Sequence, residues 1–173
     1  MEIKKLDREK YQGLTYHAVY ETKKHYEVQL LENGFQLVLK ETDEAGKKEF
    51  SDTLFSDWLE EPIAFGLFQE DKMMGFVEGS PEAWHNVFRI SNIFVYEEYR
   101  KQGLGEKLLN YIVDYVKRKN SYRGIILETQ TSNYAAISLY KKMGFHLSRI
   151  DIHEYTNKDI ENKEVRIDLF MEL

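Results

Sequence analysis

The chain has 173 residues, of which 42% are hydrophobic and 31% charged, enough for one domain with a substantial core and too apolar for chain-wide disorder. Lys and Arg number 24 against 30 Asp and Glu, and this net charge of −6 argues against a broad basic face for nucleic acid and suits a cationic partner. Cysteine is absent, so disulfides, thiolate nucleophiles and Cys-ligated metals are excluded.

Met1-Glu2-Ile3-Lys4-Lys5-Leu6 lacks the apolar stretch of a signal peptide, and Ile3–Leu6 is expected to open a strand. The polar, aromatic-rich stretch after it is expected to be helical through about Lys24. Tyr26–Leu31 and Phe35–Lys40 read as extended runs joined by Glu32-Asn33-Gly34, and Asn-Gly is a strong hairpin turn signal. Glu41–Glu49 reads as a polar loop. Ser51 is expected to cap a short helix, with Phe50 stapled on Phe55, Leu54 and Trp58 buried, and Pro62 ending it.

Ile63–Gln69, Met73–Gly79 and Val87–Val95 are strand-like runs joined by turn residues. Leu104, Leu108, Ile112 and Val116 recur every four residues and mark the clearest helix, with Lys117-Arg118-Lys119 complementing the dipole at its C-terminal end. Gly124–Glu128 is a compact strand. Asn133 is expected to cap a second helix bearing Ala136, Ile137, Tyr140 and Met143, and Gly144 to supply its left-handed terminus before Phe145 starts another strand. Val165, Ile167, Leu169, Met171 and Leu173 alternate as a terminal strand. The expected fold class is α/β, with a mixed sheet that is partly parallel because helices connect successive strands. Neither a Gly/Ser-rich linker nor a run of about 18 apolar residues interrupts the chain, so a single soluble, cytoplasmic domain without a membrane span is expected.

Three places could carry chemistry. Arg100-Lys101-Gln102-Gly103-Leu104-Gly105-Glu106 joins a strand to the strongest helix, where backbone N–H groups can take a phosphate; alone it is equally a plain strand-to-helix turn. Glu128 ends the Gly124–Glu128 strand, where open α/β sheets place ligands; a buried carboxylate there could be a general base, but alone it reads more readily as a solvated strand-end glutamate. Asn133 and Tyr140 lie two helical turns apart on one face, an amide for a polar ligand and a phenol for a leaving group, or simply a helix cap and a core tyrosine whose hydroxyl reaches the surface. The five histidines show no metal-ligand spacing, and no metal site is expected.

Taken together, Ile93-Phe94-Val95, the Arg100–Glu106 loop, Glu128, Asn133, Tyr140 and Gly144-Phe145 resemble the GCN5-related N-acetyltransferase (GNAT) family in motif, order and spacing, over about residues 62–152. The resemblance implies that fold, with a splayed parallel strand pair and helices on both faces. It implies acetyl-CoA as co-substrate, its pyrophosphate on Lys101–Glu106 and its pantetheine along Ile93, Phe94 and Val95. Asn133 would contact the co-substrate, Tyr140 protonate the departing thiolate, and Glu128 act as base. Residues 1–61 would form a variable acceptor-side segment and residues 153–173 a terminal loop and strand.

The whole chain, including Asp151, Tyr155, Asn157, Asp159 and the final strand, is most similar to the streptothricin acetyltransferase branch, implying the β-lysine amine of that antibiotic as acceptor. Ser148-Arg149 departs from that branch where a glycine pair is usual. Glu78, Asp151 and Glu154 are candidate contacts for a cationic amine. A protein N-terminus or a polyamine is an alternative acceptor, and a non-catalytic acyl-CoA sensor an alternative of another class. A monomer or homodimer is expected, with no nucleic-acid partner. Residues 41–61 alone sum to −6, leaving 22 acids and 22 bases elsewhere, so the charge imbalance resides in the acceptor-side segment.

Overall fold

Alternating apolar residues and a helical stripe build most of the elements where the sequence places them. In the computed structural model, which describes residues 1–173, β1 (Glu2–Lys5), α1 (Arg8–Tyr11), β2 (Thr15–Leu31) and β3 (Gly34–Thr53) come first. They are followed by β4 (Ile63–Gln69), β5 (Lys72–Glu82), β6 (Val87–Val95), α2 (Leu104–Lys119) and β7 (Gly124–Gln130). The chain closes with α3 (Tyr134–Lys142), β8 (His146–Asp151), α4 (Asp159–Asn162) and β9 (Arg166–Glu172). Two compact units form, one of Met1–Ala18, Ser51–Leu127 and Met171–Leu173, the other of Val19–Phe50 and Glu128–Phe170.

In the first unit the sheet runs in the order β1-β4-β5-β6-β7. The β1–β4, β4–β5 and β5–β6 pairs are antiparallel, and β6 and β7 are parallel. Leu6, Tyr16, Leu54, Phe55, Ala64, Phe76 and Phe94 form one core cluster. Helix α2 buries Leu104, Leu108, Leu109, Ile112, Val113 and Val116, each contributing ~1.5–3 kcal/mol by leaving water. Its Tyr111 and Tyr115 rings stand edge-on to Phe65 of β4 at 5.0 and 5.1 Å. The helix ends at Asn120, which takes a left-handed conformation after the cationic last turn.

β2 and β3 form a two-stranded hairpin whose turn is Glu32-Asn33, with Gly34 already the first residue of β3, and in the second unit β8 pairs antiparallel with β9. Asn133 caps α3, its Oδ1 accepting the Ala136 N–H at 3.2 Å. Gly144 follows with φ 92°, and Phe145 is buried.

Three expectations about the N-terminal third are corrected. The stretch through Lys24 is helical only at α1; from Thr15 it is strand, because Thr15, Val19 and Thr22 with Tyr16 and Tyr20 favour extended backbone. Glu41–Glu49 is not a loop but the middle of β3, so the hairpin is far longer than its turn alone indicates. No helix starts at Ser51: β3 continues to Thr53, Phe50 and Trp58 are exposed, and Leu54 and Phe55 are buried by a turn in which Phe55 adopts φ 57°.

Candidate active site

The phosphate-cradle candidate is built from backbone. Strand β6 pairs with β7 only over Phe88↔Ile125, Arg89↔Ile126 and Ile90↔Leu127, while its ladder with β5 continues to Gly75↔Val95. Ile93–Val95 is therefore held along one edge, its other edge lying outside the parallel ladder. The Arg100 Nε then donates to the Val95 carbonyl at 3.1 Å, tying the loop back to the strand end. Lys101 (φ 59°) and Gly103 (φ 76°) both turn left-handed, a curvature that gathers successive N–H groups into an anion-binding concavity.

Gly103 is the N-cap of α2 and has no side chain to satisfy the first-turn donors. The Lys107 N–H bonds the Gly103 carbonyl at 3.0 Å, so the donors of Leu104, Gly105 and Glu106 precede the helical ladder and sit at its positive end. A side chain placed on Gly103 would meet no atom within 4 Å. The helix start is donor-rich, which fits a diphosphate.

Glu78 does not behave as the accessible substrate carboxylate expected of it. It is fully buried; Oε1 accepts the Phe55 N–H at 2.6 Å and Oε2 the Asn92 Nδ2 at 2.7 Å. Asn92 Oδ1 in turn accepts the Tyr16 hydroxyl at 2.5 Å, and Asp52 Oδ2 lies 3.5 Å from that hydroxyl. Burial pushes both the Glu78 carboxyl and the Tyr16 phenol upward, the two hydrogen bonds to Glu78 opposing only part of the effect. Glu78 fixes the strained Phe55 turn rather than facing a substrate. Tyr16, Asn92 and Asp52 were not singled out by sequence; the available signal was Asn92, an amide inside the otherwise apolar end of β6.

In the second unit Glu128 is not enclosed as a base with a desolvated carboxyl would be. Its side chain is 38% exposed, and Oε2 lies 2.9 Å from Arg166 Nη2. The same guanidinium reaches Glu154 Oε1 at 2.5 Å through Nη1 and Asp168 Oδ1 at 3.0 Å through Nε. Glu128 and Glu154 are thus brought together on one cation. Burial disfavours the Arg166 charge, but the hydrogen bond to Asp168 and the charges of Glu128 and Asp168 outweigh it and hold the guanidinium protonated. Asp151 stands outside this cluster, its carboxylate accepting the His153 N–H at 2.9 Å.

Tyr140 is half-buried on α3, its ring 6.3 Å from Phe145 in an edge-on contact. Burial pushes its phenol up to about 12, so it holds its proton throughout the neutral range and can only donate there. Asn133 uses its Oδ1 in the cap, which leaves the Nδ2 as a donor for a ligand. The acidic stretch 41–61 is partly neutralised: Glu41 pairs with Lys24 at 3.7 Å, Glu49 with Lys47 at 3.2 Å, and Asp57 accepts from Gln12 at 3.1 Å.

A mixed sheet with a parallel pair and, beyond the end of β6, a glycine-capped helix start rich in N–H donors suit an acyltransferase of the acetyl-CoA-using kind. Residues 18–145 match the Acetyltransferase (GNAT) family, and the chain belongs to it; it is an acetyl-CoA-dependent N-acetyltransferase. It is 30% identical over 139 residues to the streptothricin acetyltransferase of Escherichia coli, covering 80% of this chain and 77% of that protein. Among solved structures it resembles nourseothricin acetyltransferase with a TM-score of 0.75 at 20% identity, covering 99% of this chain and 97% of that one. It also resembles a GNAT family acetyltransferase from Elizabethkingia anophelis with acetyl-CoA bound, with a TM-score of 0.57 at 25% identity over 65% of this chain and 76% of the other. No helix is long and apolar enough to cross a membrane.

Proposed function

We propose that the chain acetylates a primary amine of a small cationic acceptor, the β-lysine moiety of streptothricin, by direct attack on acetyl-CoA. The observation that carries the acceptor is the likeness to a streptothricin acetyltransferase over 80% of this chain. The net charge of −6, which resides in residues 41–61, suits a cation.

Lys101–Glu106 would bind the pyrophosphate through backbone N–H groups, and the open edge of Ile93–Val95 would pair with the pantetheine as an added strand does. The Asn133 Nδ2 would donate to the same co-substrate. The acceptor nitrogen attacks the thioester carbonyl carbon, an N–C bond forms and the C–S bond breaks. The Glu128 carboxylate takes the proton lost by the nitrogen, and the Tyr140 hydroxyl gives its proton to the departing sulfur. Ordering both reactants in one complex supplies much of the acceleration. No covalent enzyme intermediate is needed, consistent with a chain without cysteine.

The test is acetyl-CoA consumption by the purified protein with streptothricin, spermidine and a peptide amine in parallel. Streptothricin is expected to be turned over most efficiently. Preferential turnover of either of the others would replace the acceptor, and tight acetyl-CoA binding with no turnover would replace catalysis by sensing.

A further inference from the structure

We propose that Arg166 is a positioning residue that sets the Glu128 carboxylate for the acceptor amine, an inference that rests on the reading of Glu128 above. All three guanidinium nitrogens are committed: Nε to Asp168 at 3.0 Å, Nη1 to Glu154 at 2.5 Å and Nη2 to Glu128 at 2.9 Å. The three carboxylates come from β9, from the segment after β8 and from β7, so one side chain ties together three stretches far apart in sequence.

The arrangement grades from anchor to opening. Asp168 is fully buried, its Oδ2 3.4 Å from Arg149 Nη1, whereas the Arg166 side chain is 17% exposed and those of Glu154 and Glu128 are 35% and 38% exposed. Compensating Asp168 requires only the Nε edge of the fork. The other two prongs reach carboxylates that water could also solvate, so compensating those two charges does not require the arginine. What those two prongs supply is direction. Each carboxylate takes one nitrogen of the planar guanidinium, whose N–H directions are fixed relative to one another by the Asp168 anchor, whereas a lysine ammonium is a single point charge on a flexible stem. The Glu128 charge also acts on Tyr155, whose phenol is pushed up to about 12 by burial first and then by that charge. Glu128 is therefore set among Arg166, Glu154, Asp168 and Tyr155.

The experiment is a double-variant cycle of Arg166→Lys and Glu128→Gln, read as kcat and KM with whichever amine of the streptothricin, spermidine and peptide panel is turned over. Alongside it run acetyl-CoA titration and thermal unfolding. Arg166→Lys keeps the charge beside Asp168 and loses the fork. It is expected to lower kcat about ten-fold with unchanged acetyl-CoA affinity, and to add less than about two-fold in the Glu128→Gln background, because two residues acting through one group are not additive. A full ten-fold loss in both backgrounds, or wild-type kcat in Arg166→Lys, overturns the positioning role. Wild-type turnover in Glu128→Gln alone overturns the assignment of Glu128 instead, and a panel without any acetylated amine overturns the proposed function. If Arg166→Lys unfolds, Arg166→Gln with Asp168→Asn removes the cation together with its buried counter-charge, and the same cycle is read on that pair.

Discussion

The Arg100–Glu106 loop and the Arg166 cluster handle charge in opposite ways. The loop is backbone: its donors are peptide N–H groups, its shape is set by two left-handed residues, and its side chains lie mostly at the surface. The cluster is side chain: one guanidinium, three carboxylates and a second arginine, graded from buried to open. A backbone cradle recognises any diphosphate and tolerates drift in side-chain identity. A side-chain cluster is specific, and each of its members can be tuned or lost by one substitution. The co-substrate is common to the family, so a generic cradle suffices for it. An acceptor that distinguishes relatives calls for the second kind of site.

The largest expected effect falls on a side chain whose proposed role is to move a proton. Tyr140→Phe removes the phenol that burial keeps protonated up to about 12, and loss of a general acid costs ~10²–10⁴ in rate. Stopped-time assays at saturating acetyl-CoA are expected to show kcat falling by about a hundred-fold, with acetyl-CoA affinity near wild type by titration. Unchanged turnover would remove Tyr140 from the chemistry.

The reverse pattern is expected at the cradle. Gly103→Val forces a β-branched residue to φ 76°, a conformation costing ~1–2 kcal/mol for residues with a Cβ. There is room for the side chain, so the penalty is conformational. The loop relaxes away from its anion-binding curvature, and acetyl-CoA affinity is expected to fall about ten-fold with kcat at saturation little altered. Affinity equal to wild type in calorimetric titration would show that the curvature at Gly103 is dispensable, breaking the contrast between a backbone site and a side-chain site.

What was legible in the sequence follows the same division. The loop, α2 and the Asn133 cap are local: Leu104, Leu108, Ile112 and Val116 mark the helix, glycine marks its start, and the β4 and β6 bounds fall where the apolar runs end. The hairpin was equally plain, although its turn falls at Glu32-Asn33, one residue before the Asn-Gly pair. The misread segment around Ser51 carries local helix signals, but Phe55 takes its left-handed conformation with its N–H held by Glu78, 23 residues away. The Arg166 cluster was not legible for the same reason. Arg166 lies 38 residues from Glu128, on a strand whose alternation marks only Val165, Ile167, Leu169 and Met171 as inward, and the complete burial of Asp168 on the other face breaks that rule. Charge pairing across such separations leaves no periodic trace.

Glu78 offers a smaller test of whether a buried carboxylate supports the fold or the reaction. Burial raises its carboxyl above the ordinary value of 4.5, so the folded chain holds this proton more tightly than the unfolded chain. Its contribution to stability is therefore greatest below pH 4.5 and declines as pH rises through the folded value. Glu78→Gln removes that decline. With Asn92 turned so that its Oδ1 accepts from the new amide, Tyr16 can accept from Asn92 and donate to Asp52. Urea unfolding is expected to show the variant gaining on wild type between pH 4.5 and neutrality, on the order of 1 kcal/mol, with no gain in acid. A constant difference at every pH would mean that the carboxyl does not titrate differently in the folded chain.

Asn133 is proposed to join both kinds of recognition in one residue, because its Oδ1 closes the α3 cap while its Nδ2 can donate to the co-substrate. Two substitutions separate the halves. Asn133→Ala loses both, and removal of a capping side chain costs ~1 kcal/mol, a drop in Tm of ~2–4 °C for a chain of this size. Asn133→Ser keeps an oxygen able to cap the Ala136 N–H but has no amide to donate, so its Tm is expected to match wild type while acetyl-CoA affinity falls as in the alanine variant. Recovery of affinity along with Tm in the serine variant would make Asn133 purely a helix cap, and its effect on acetyl-CoA no more than the placement of α3.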